Sequence, residues 1–290
     1  MVALATISAV TELQTGCATA KSRIVRVGSL GLHYLEWGVV DRPPLLFLHG
    51  GSAHAHWFDG VAPAFADRYH VVSLDQRGHG ESEWAQPAAY ATEDFASDLL
   101  GFLDALGWRH AIVVGHSMGG HNAMAFAAWH PERVRALVVV DSRPSIPEER
   151  LAQMHKRGYR ALRLHPTRED AVAAFRLLPR ETIADPRLLA HLATMGIVER
   201  DGGWVYRFDP QANRSRQPID TERLLDRVTA PALIVRGEVS PVLTRELADR
   251  VVTKIRDARF VEIPGTYHHL VLDAPAAFAR ALADFLSTLN

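Results

Sequence analysis

The sequence predicts an α/β fold built on a mostly parallel, doubly wound sheet of about eight strands, with a helical lid inserted after strand six. Short and mostly apolar runs at residues 45–48, 71–74 and 134–140 are typical of strands buried on both faces of a sheet. These runs alternate along the chain with helical patterns, such as residues 93–106, whose apolar side chains fall on one face. Such alternation favours a parallel sheet covered by helices.

Residues 1–22 are predicted to form a flexible tail ahead of the folded core. The stretch is small and fairly apolar, but no lysine or arginine precedes Lys21, and Glu12 interrupts it. A secretory signal needs a basic beginning, so we predict none here. Cys17 is the single cysteine, which excludes an internal disulfide framework and fits a reducing, cytoplasmic location.

The α/β core is predicted in two parts, residues 23–143 and 221–290, separated by the lid at residues 144–220. The lid region is rich in arginine and in helical patterns, and no buried strand is evident in its sequence. Most connections in compact domains have about 4–6 residues, so a segment of this length is too long for a plain loop. The strand and helix alternation returns at residue 232.

A sharp turn is predicted between the strand that ends at Val114 and the helix that starts near Asn122. A Gly-x-Ser-x-Gly pattern lies between them, formed by Gly115, Ser117 and Gly119. Strand, tight turn and helix are the context that a nucleophile elbow requires, and the two glycines let its arms pass closely. The pattern therefore predicts that the Ser117 hydroxyl is exposed at the sheet edge as a nucleophile.

Composition excludes several classes of partner. Lysine plus arginine number 32 against 33 aspartates plus glutamates, a formal net charge of -1, so nothing favours binding to nucleic acid or to an anionic membrane. No apolar run approaches the roughly 18 residues of a membrane span. His54, His56 and His121 lack cysteine or acidic partners at ligand spacing, so we predict no metal site. A homodimer is compatible with the sequence.

The chain resembles the α/β-hydrolase superfamily, in particular its lidded bacterial serine hydrolases of the esterase and lactonase type. The resemblance covers roughly residues 24–289, and its segments occur in the family's order. They are Leu48-His49-Gly50-Gly51, Asp75-Gln76-Arg77-Gly78-His79-Gly80, Gly115-His116-Ser117-Met118-Gly119-Gly120 and Gly265-Thr266-Tyr267-His268-His269. The resemblance implies a hydrolase that needs no cofactor.

The resemblance also implies that a histidine after the last strand is the base for Ser117. Two candidates are adjacent, His268 and His269. The family's Gly-x-Gly-His pattern places the imidazole at the fourth position from Gly265, which favours His268. Adjacent side chains diverge, so only one of the two can reach the serine.

The acid of the catalytic triad is where this sequence departs from its relatives. Most of them carry it after strand seven as Gly-x-x-Asp, but the aligned position here is Ser240, whose hydroxyl cannot stabilise an imidazolium as a carboxylate does. Asp141, after strand six, and Glu238 are the two candidates. Asp141 is favoured because it keeps the chain order Ser, Asp, His and lies at a strand end, as in some lipase-like and lactonase-like relatives.

The oxyanion hole is predicted from two backbone N–H groups. Met118 follows the nucleophile, and Gly51 follows His49-Gly50. The predicted substrate pocket contains Gly50, Ser52, Trp57, His116, Trp204 and His269.

These predictions converge on hydrolysis of a small-molecule ester or lactone through an acyl-enzyme. A carbon–carbon bond hydrolase of ring-cleavage products is an alternative, since those relatives also carry a Ser-Met-Gly-Gly elbow, and a cofactor-free perhydrolase is another. A non-catalytic ligand-binding relative is favoured only by the missing acid after strand seven. The pair of Ser117 and His268 argues against it, because binding alone does not require them.

Overall fold

The computed structural model describes residues 19–160 and 162–289. Eight strands form its central sheet, and in chain order they are β1 (Lys21–Val27), β2 (Leu30–Trp37), β3 (Pro44–Leu48), β4 (His70–Leu74), β5 (Ala111–His116), β6 (Val134–Val140), β7 (Ala232–Gly237) and β8 (Ala258–Ile263). Their order in the sheet is β1-β2-β4-β3-β5-β6-β7-β8. Strand β2 pairs antiparallel with β1 and β4, and every other pairing is parallel, which confirms the predicted sheet.

The helices of the described residues connect these strands. They are α1 (Thr92–Ala105), α2 (Met118–Trp129), α3 (Glu148–Gly158), α4 (Arg168–Ala174), α5 (Pro186–Met195), α6 (Gln211–Arg214), α7 (Arg245–Lys254), α8 (Leu270–Asp273) and α9 (Pro275–Leu286). Short 3-10 helices occupy Ala55–Phe58, Ala62–Phe65, Pro131–Arg133 and Thr221–Arg227. None of the helices in the described ranges has the length and apolarity needed to cross a membrane.

Alternate residues of the inner strands enter two separate apolar cores. Leu46 and Val113 pack in one core with α1 and α2, whereas Leu45 and Ile112 pack in the other with α9. Side chains of a strand point to opposite faces in turn, so a strand covered on both faces is apolar at most positions. This explains why β3 to β6 are mostly apolar in the sequence, with Ser73 and Arg135 among the exceptions.

The first strand begins earlier than predicted. Lys21 and Ser22 pair with Glu36 and Leu35 of β2. The prediction that these two residues belong to the tail was therefore wrong, because ladder pairing extends the strand beyond its apolar part. Residues 1–18 of the predicted tail lie outside the described residues.

Residues 144–220 lie between β6 and β7, where the sequence predicts the lid. They contain α3 to α6, but also an antiparallel hairpin of Ile197–Arg200 and Gly203–Tyr206. A short strand at Arg216–Gln217 pairs with Tyr90–Ala91 of the core. The prediction of a purely helical insertion was wrong for these strands, because four-residue strands carry too little periodicity to be distinguished by pattern.

Two glycines allow the closest backbone approaches around Ser117. A Cβ at Gly115 would lie 2.3 Å from the carbonyl oxygen of Gly119, and a Cβ at Gly119 would lie 2.3 Å from the carbonyl oxygen of Leu48. Each of those contacts is with backbone, which cannot rotate away. These positions therefore hold β5, the turn and α2 against β3.

We expect Gly119→Ala to lower the free energy of unfolding by about 1–3 kcal/mol or more, since the added methyl group forces backbone to move. Urea denaturation followed by circular dichroism measures the change. Gly60→Ala is the matched control, because its Cβ would meet only the Pro275 side chain at 3.4 Å. Equal stability of the two variants would contradict the expectation.

Candidate active site

Ser117 stands at the turn between β5 and α2. Its backbone adopts φ 52° and ψ -116°, in the region that residues with a side chain rarely occupy. The Ser117 N–H donates to the Val140 carbonyl, and the Ser117 carbonyl accepts the Ser142 hydroxyl at 2.6 Å. Contacts on both sides hold the strained turn, so the hydroxyl is fixed at the carboxyl edge of the sheet.

A continuous hydrogen-bonded chain joins the serine to a carboxylate. The Ser117 hydroxyl donates to His268 Nε2 at 3.0 Å, and His268 Nδ1 donates to Asp141 Oδ1 at 2.9 Å. His268 follows β8 and Asp141 follows β6, so three loops at one sheet edge supply the three groups. The structure thus brings together the serine, histidine and aspartate that the sequence favours.

Asp141 is fully buried and its carboxylate oxygens all have donors. Besides His268, it accepts the Ser240 hydroxyl at 2.6 Å, the Gly237 amide at 2.9 Å and the Leu243 amide at 3.4 Å. Burial raises the pKa of Asp141, and these hydrogen bonds oppose the rise by stabilising the anion. The position after β7 that aligns with the usual acid thus holds a hydrogen-bond donor to Asp141.

Glu238, the alternative acid, points elsewhere. Its side chain is exposed, and its Oε2 accepts the backbone amide of Gly265 at 2.7 Å. The residue fixes the loop that leads to His268, but the hydrogen bond to the imidazole comes from Asp141. The carboxylate that contacts His268 is therefore the one at the end of β6.

Three buried imidazoles lie side by side at this edge. The His116 and His268 ring centroids are 4.8 Å apart, and so are those of His268 and His269. Burial, followed by the positive charge of Arg150, lowers the pKa of His268. His116 Nε2 donates to the His268 carbonyl and His269 Nε2 donates to the Pro179 carbonyl, each at 3.0 Å, so both position the loop.

The amides predicted for the oxyanion hole lie on two neighbouring turns. A Cβ at Gly51 would be 3.9 Å from Met118 Sδ, and a Cβ at Gly50 would be 3.2 Å from Ser117 Cβ. Among residues 19–160 and 162–289, neither the Gly51 nor the Met118 amide donates to a backbone acceptor. Two free N–H groups beside the hydroxyl can stabilise charge that develops on a carbonyl oxygen.

A cavity of about 340 Å³ opens onto Ser117 and His268. Of the residues predicted for the substrate pocket, Ser52, Trp57 and His269 line it. The other three, Gly50, His116 and Trp204, are not among the residues that line this cavity. Gly50 lies against His116 and Ser117, and Trp204 belongs to the hairpin, where Arg168 lies over its ring.

Pattern reasoning missed the arginines of this cavity. Its wall includes Arg143, Arg150, Arg157, Arg176 and Arg216. The enrichment of residues 144–220 in arginine was visible in the sequence. That signal predicts a positively charged segment but does not predict where its side chains point, because a helix rich in arginine usually faces solvent.

The comparisons with known proteins agree with this geometry. A model of the alpha/beta hydrolase fold matches residues 43–275. The chain belongs to the α/β-hydrolase family. A 2-(acetamidomethylene)succinate hydrolase of Mesorhizobium japonicum is 30% identical over 274 residues, which are 91% of this chain and 95% of that protein. An esterase of Mycobacterium tuberculosis is 30% identical over 289 residues, covering 95% and 93% of the two chains.

Solved structures give the same result. The crystal structure of an E-2-(acetamidomethylene)succinate hydrolase is similar with a TM-score of 0.83 and 29% identity, over 93% of this chain and 100% of that one. With the sequence relatives, this identifies the chain as a hydrolase of the α/β-hydrolase fold.

One further polar cluster in this α/β-hydrolase joins the insertion to the core. Asp59 Oδ2 accepts His56 Nδ1 at 2.8 Å and His191 Nε2 of α5 at 2.9 Å. His56, Asp59 and His191 offer potential metal-ligand atoms that lie within 4.8 Å of one another. His56 is one of the three histidines considered for a metal in the sequence. His54 instead donates to the Leu192 carbonyl of α5. The two contacts tie one side of the insertion to the loop that follows β3.

Proposed function

We propose that this hydrolase cleaves a carboxylic ester or lactone through an acyl-enzyme, with Ser117, His268 and Asp141 as its catalytic triad. The observation that carries the proposal is the hydrogen-bonded chain from the Ser117 hydroxyl through His268 to a buried carboxylate. It opens into a cavity large enough for a small molecule. A serine is a weak nucleophile until such a base takes its proton.

The first half of the reaction forms the acyl-enzyme. Ser117 Oγ attacks the ester carbonyl carbon while its proton moves to His268 Nε2. Asp141 stabilises the imidazolium, and the Gly51 and Met118 amides bind the oxyanion of the tetrahedral intermediate. When the intermediate collapses, the carbon–oxygen bond to the alcohol breaks and the alcohol takes the proton from Nε2.

The second half repeats these steps with water. A water molecule gives a proton to His268 Nε2 as its oxygen attacks the acyl carbon. The new intermediate collapses, Ser117 Oγ leaves and recovers the proton from Nε2, and a carboxylic acid is released. The triad is restored with no cofactor consumed.

Residues 144–220 are proposed to act as the lid that shapes the acyl pocket. Arg150, Phe175 and Arg216 come from this segment and line the same cavity as Ser117. Specificity resides in such walls rather than in the elbow, because the same triad serves many substrates.

The decisive experiment combines covalent labelling with turnover. A fluorophosphonate probe is expected to add its phosphonyl group to Ser117, as detected by peptide mass spectrometry, and the enzyme is expected to hydrolyse short p-nitrophenyl esters. Labelling without ester turnover would leave the machinery intact and favour the carbon–carbon hydrolase, whose Ser-Met-Gly-Gly elbow this chain shares. Absence of both would overturn the proposal in favour of a ligand-binding role.

The pH profile of kcat/KM on a neutral ester is expected to have an acid limb with its midpoint below about 6.5, the ordinary pKa of histidine. Activity requires neutral His268 beside ionised Asp141, so it is lost as the pH falls and this pair takes up a proton. Burial lowers the pKa of His268, which moves the midpoint to lower pH. Initial rates across the acid range measure it, and a midpoint above 7 would contradict this reading.

A further inference from the structure

The cavity beside Ser117 is positively charged without compensation. Among the residues that the structure describes, five arginines line it and no aspartate or glutamate does. We propose, on the basis of the function proposed above, that the substrate carries a carboxylate in addition to its ester bond, and that Arg216 and Arg150 bind this carboxylate. The substrate class is then a monoester of a short dicarboxylic acid, or a lactone that bears a carboxylate.

The cavity arginines differ from several arginines elsewhere in the fold, which are paired with carboxylates. Arg77, Arg133 and Arg236 each form an ion pair with a carboxylate. Within the described ranges, none of the cavity arginines has a carboxylate within the 4.0 Å of an ion pair; they are Arg143, Arg150, Arg157, Arg176 and Arg216. A cluster of like charges repels itself, so the site is stabilised when an anion enters.

Arg216 is the most deeply placed of the group, with 1% of its surface exposed. It donates to Asn122 Oδ1 at 2.9 Å and to the Tyr90 carbonyl at 3.4 Å, and its guanidinium lies 4.7 Å from the Phe95 ring centroid. These partners are neutral, and its buried Nε has no hydrogen-bond acceptor. Glu93 and Asp94 act on the guanidinium from beyond ion-pair distance, so no carboxylate of the described residues contacts it. A buried charge without a paired opposite charge is costly, and a carboxylate ligand would offset that cost.

The histidines near Arg216 add no charge of their own. Burial is the main cause that lowers the pKa of His121 and of His79 to about 3, and the positive charge of Arg216 contributes to that lowering. Both rings are therefore neutral at neutral pH. The guanidinium, held at a pKa of about 10 by burial, remains charged there.

Ser117 and Arg216 line the same cavity of about 340 Å³, so a substrate that reaches the serine can also reach the arginine. Adipate, a short dicarboxylic acid, and its monomethyl ester are the probes for such a substrate.

Arg150 faces the same cavity from α3. It is half-buried, and it has no side-chain hydrogen bond or ion pair to any residue of the described part of the chain. Arg150 and His268 line the same cavity, and the positive charge of Arg150 contributes to the lowered pKa of His268. Because it holds nothing else in place, its replacement tests binding without disturbing the fold.

The test measures both binding and turnover. By isothermal titration calorimetry, adipate is expected to bind at least about 10-fold more tightly than 1,6-hexanediol, its neutral analogue. High salt is expected to weaken the binding of adipate but not the binding of hexanediol. Monomethyl adipate is expected to exceed methyl hexanoate in kcat/KM by at least about 10-fold. Equal binding of adipate and hexanediol, or a preference for methyl hexanoate, would overturn the proposal.

The variants assign the effect to the two arginines. Arg150→Gln and Arg216→Gln are each expected to lower kcat/KM for monomethyl adipate by about 10- to 100-fold more than kcat/KM for methyl hexanoate. Arg216→Lys should retain part of the preference, because it keeps the charge. Arg223→Gln, whose side chain is 84% exposed, is the matched control. Equal losses on both esters would mean that the arginines are structural, which contradicts the proposal.

Failure of this inference can be distinguished from failure of the proposed function. Calorimetry with adipate does not depend on turnover, and fluorophosphonate labelling of Ser117 does not depend on the arginines. A labelled serine without adipate binding rejects the carboxylate and retains the hydrolase. Adipate binding without labelling retains the anion site and rejects the acyl-enzyme.

Discussion

Ser117→Ala is expected to lower kcat for ester hydrolysis by about 10⁴- to 10⁶-fold, with KM changing little. The hydroxyl is the only group that forms the acyl-enzyme in the proposed mechanism, and no neighbouring group replaces it. Binding in the cavity and the oxyanion amides remain, so slow attack by water accounts for the residual rate. Stopped assays at high enzyme concentration, with product measured by chromatography, can resolve a rate that low.

The matched control for this substitution is Ser97→Ala on the exposed face of α1. Ser97 lies outside the cavity, so its variant should keep the wild-type rate within about 2-fold. Circular dichroism must show that Ser117→Ala is folded. The substitution does not weaken the turn, because the backbone of residue 117 keeps its hydrogen bonds to Val140 and Ser142. A folded Ser117→Ala enzyme with more than a tenth of the wild-type rate would exclude the acyl-enzyme.

Asp141→Asn is expected to lower kcat by about 10⁴-fold, the effect of the corresponding change in serine proteases. The amide is nearly the same shape as the carboxylate, so packing against Gly237 and Ser240 is retained. It cannot stabilise the imidazolium of His268, and its NH₂ group favours the wrong tautomer of that ring. Burst kinetics with a p-nitrophenyl ester separate the acylation step from deacylation.

Glu238→Gln provides the contrast to Asp141→Asn. Glu238 is exposed and its contact is with the Gly265 amide, so the variant should keep kcat within about 3-fold and lose no more than a few tenths of a kcal/mol in stability. The opposite pattern, a large loss in Glu238→Gln and a mild one in Asp141→Asn, would assign the acid to the loop after β7. That outcome would require the loop to move on substrate binding.

The parts of the fold that follow local rules were predictable from the sequence. The inner strands are mostly apolar because both faces are covered, and the turn at Ser117 needs glycines where an added Cβ would lie 2.3 Å from a backbone carbonyl oxygen. The predicted helix at residues 93–106 is found as α1 at Thr92–Ala105, with Phe95, Leu99 and Phe102 buried. In these segments the pattern of apolar residues along the sequence is enough to predict which side chains are buried in the fold.

The parts that depend on tertiary contacts were not predictable. The sequence favours Asp141 over Glu238 through chain order and its place at a strand end, but the contact of Glu238 with the Gly265 amide instead of His268 follows from how the loops fold. Trp204 was expected in the pocket because it is aromatic. In the structure it belongs to the hairpin, and its ring contacts Arg168. The direction of the cavity arginines likewise depends on how residues 144–220 fold over the sheet.

The hydrogen bond from Ser240 to Asp141 has a consequence for how such sites diverge. The ends of β6 and β7 meet at one corner, so residues 141 and 240 can each hold a carboxylate near the same imidazole. An ancestor that carried both would have had two buried acids within hydrogen-bond distance, and repulsion would have kept one of them protonated. A protonated acid donates a hydrogen bond as Ser240 now does. The acid could therefore move between strands during evolution through intermediates that kept a working base.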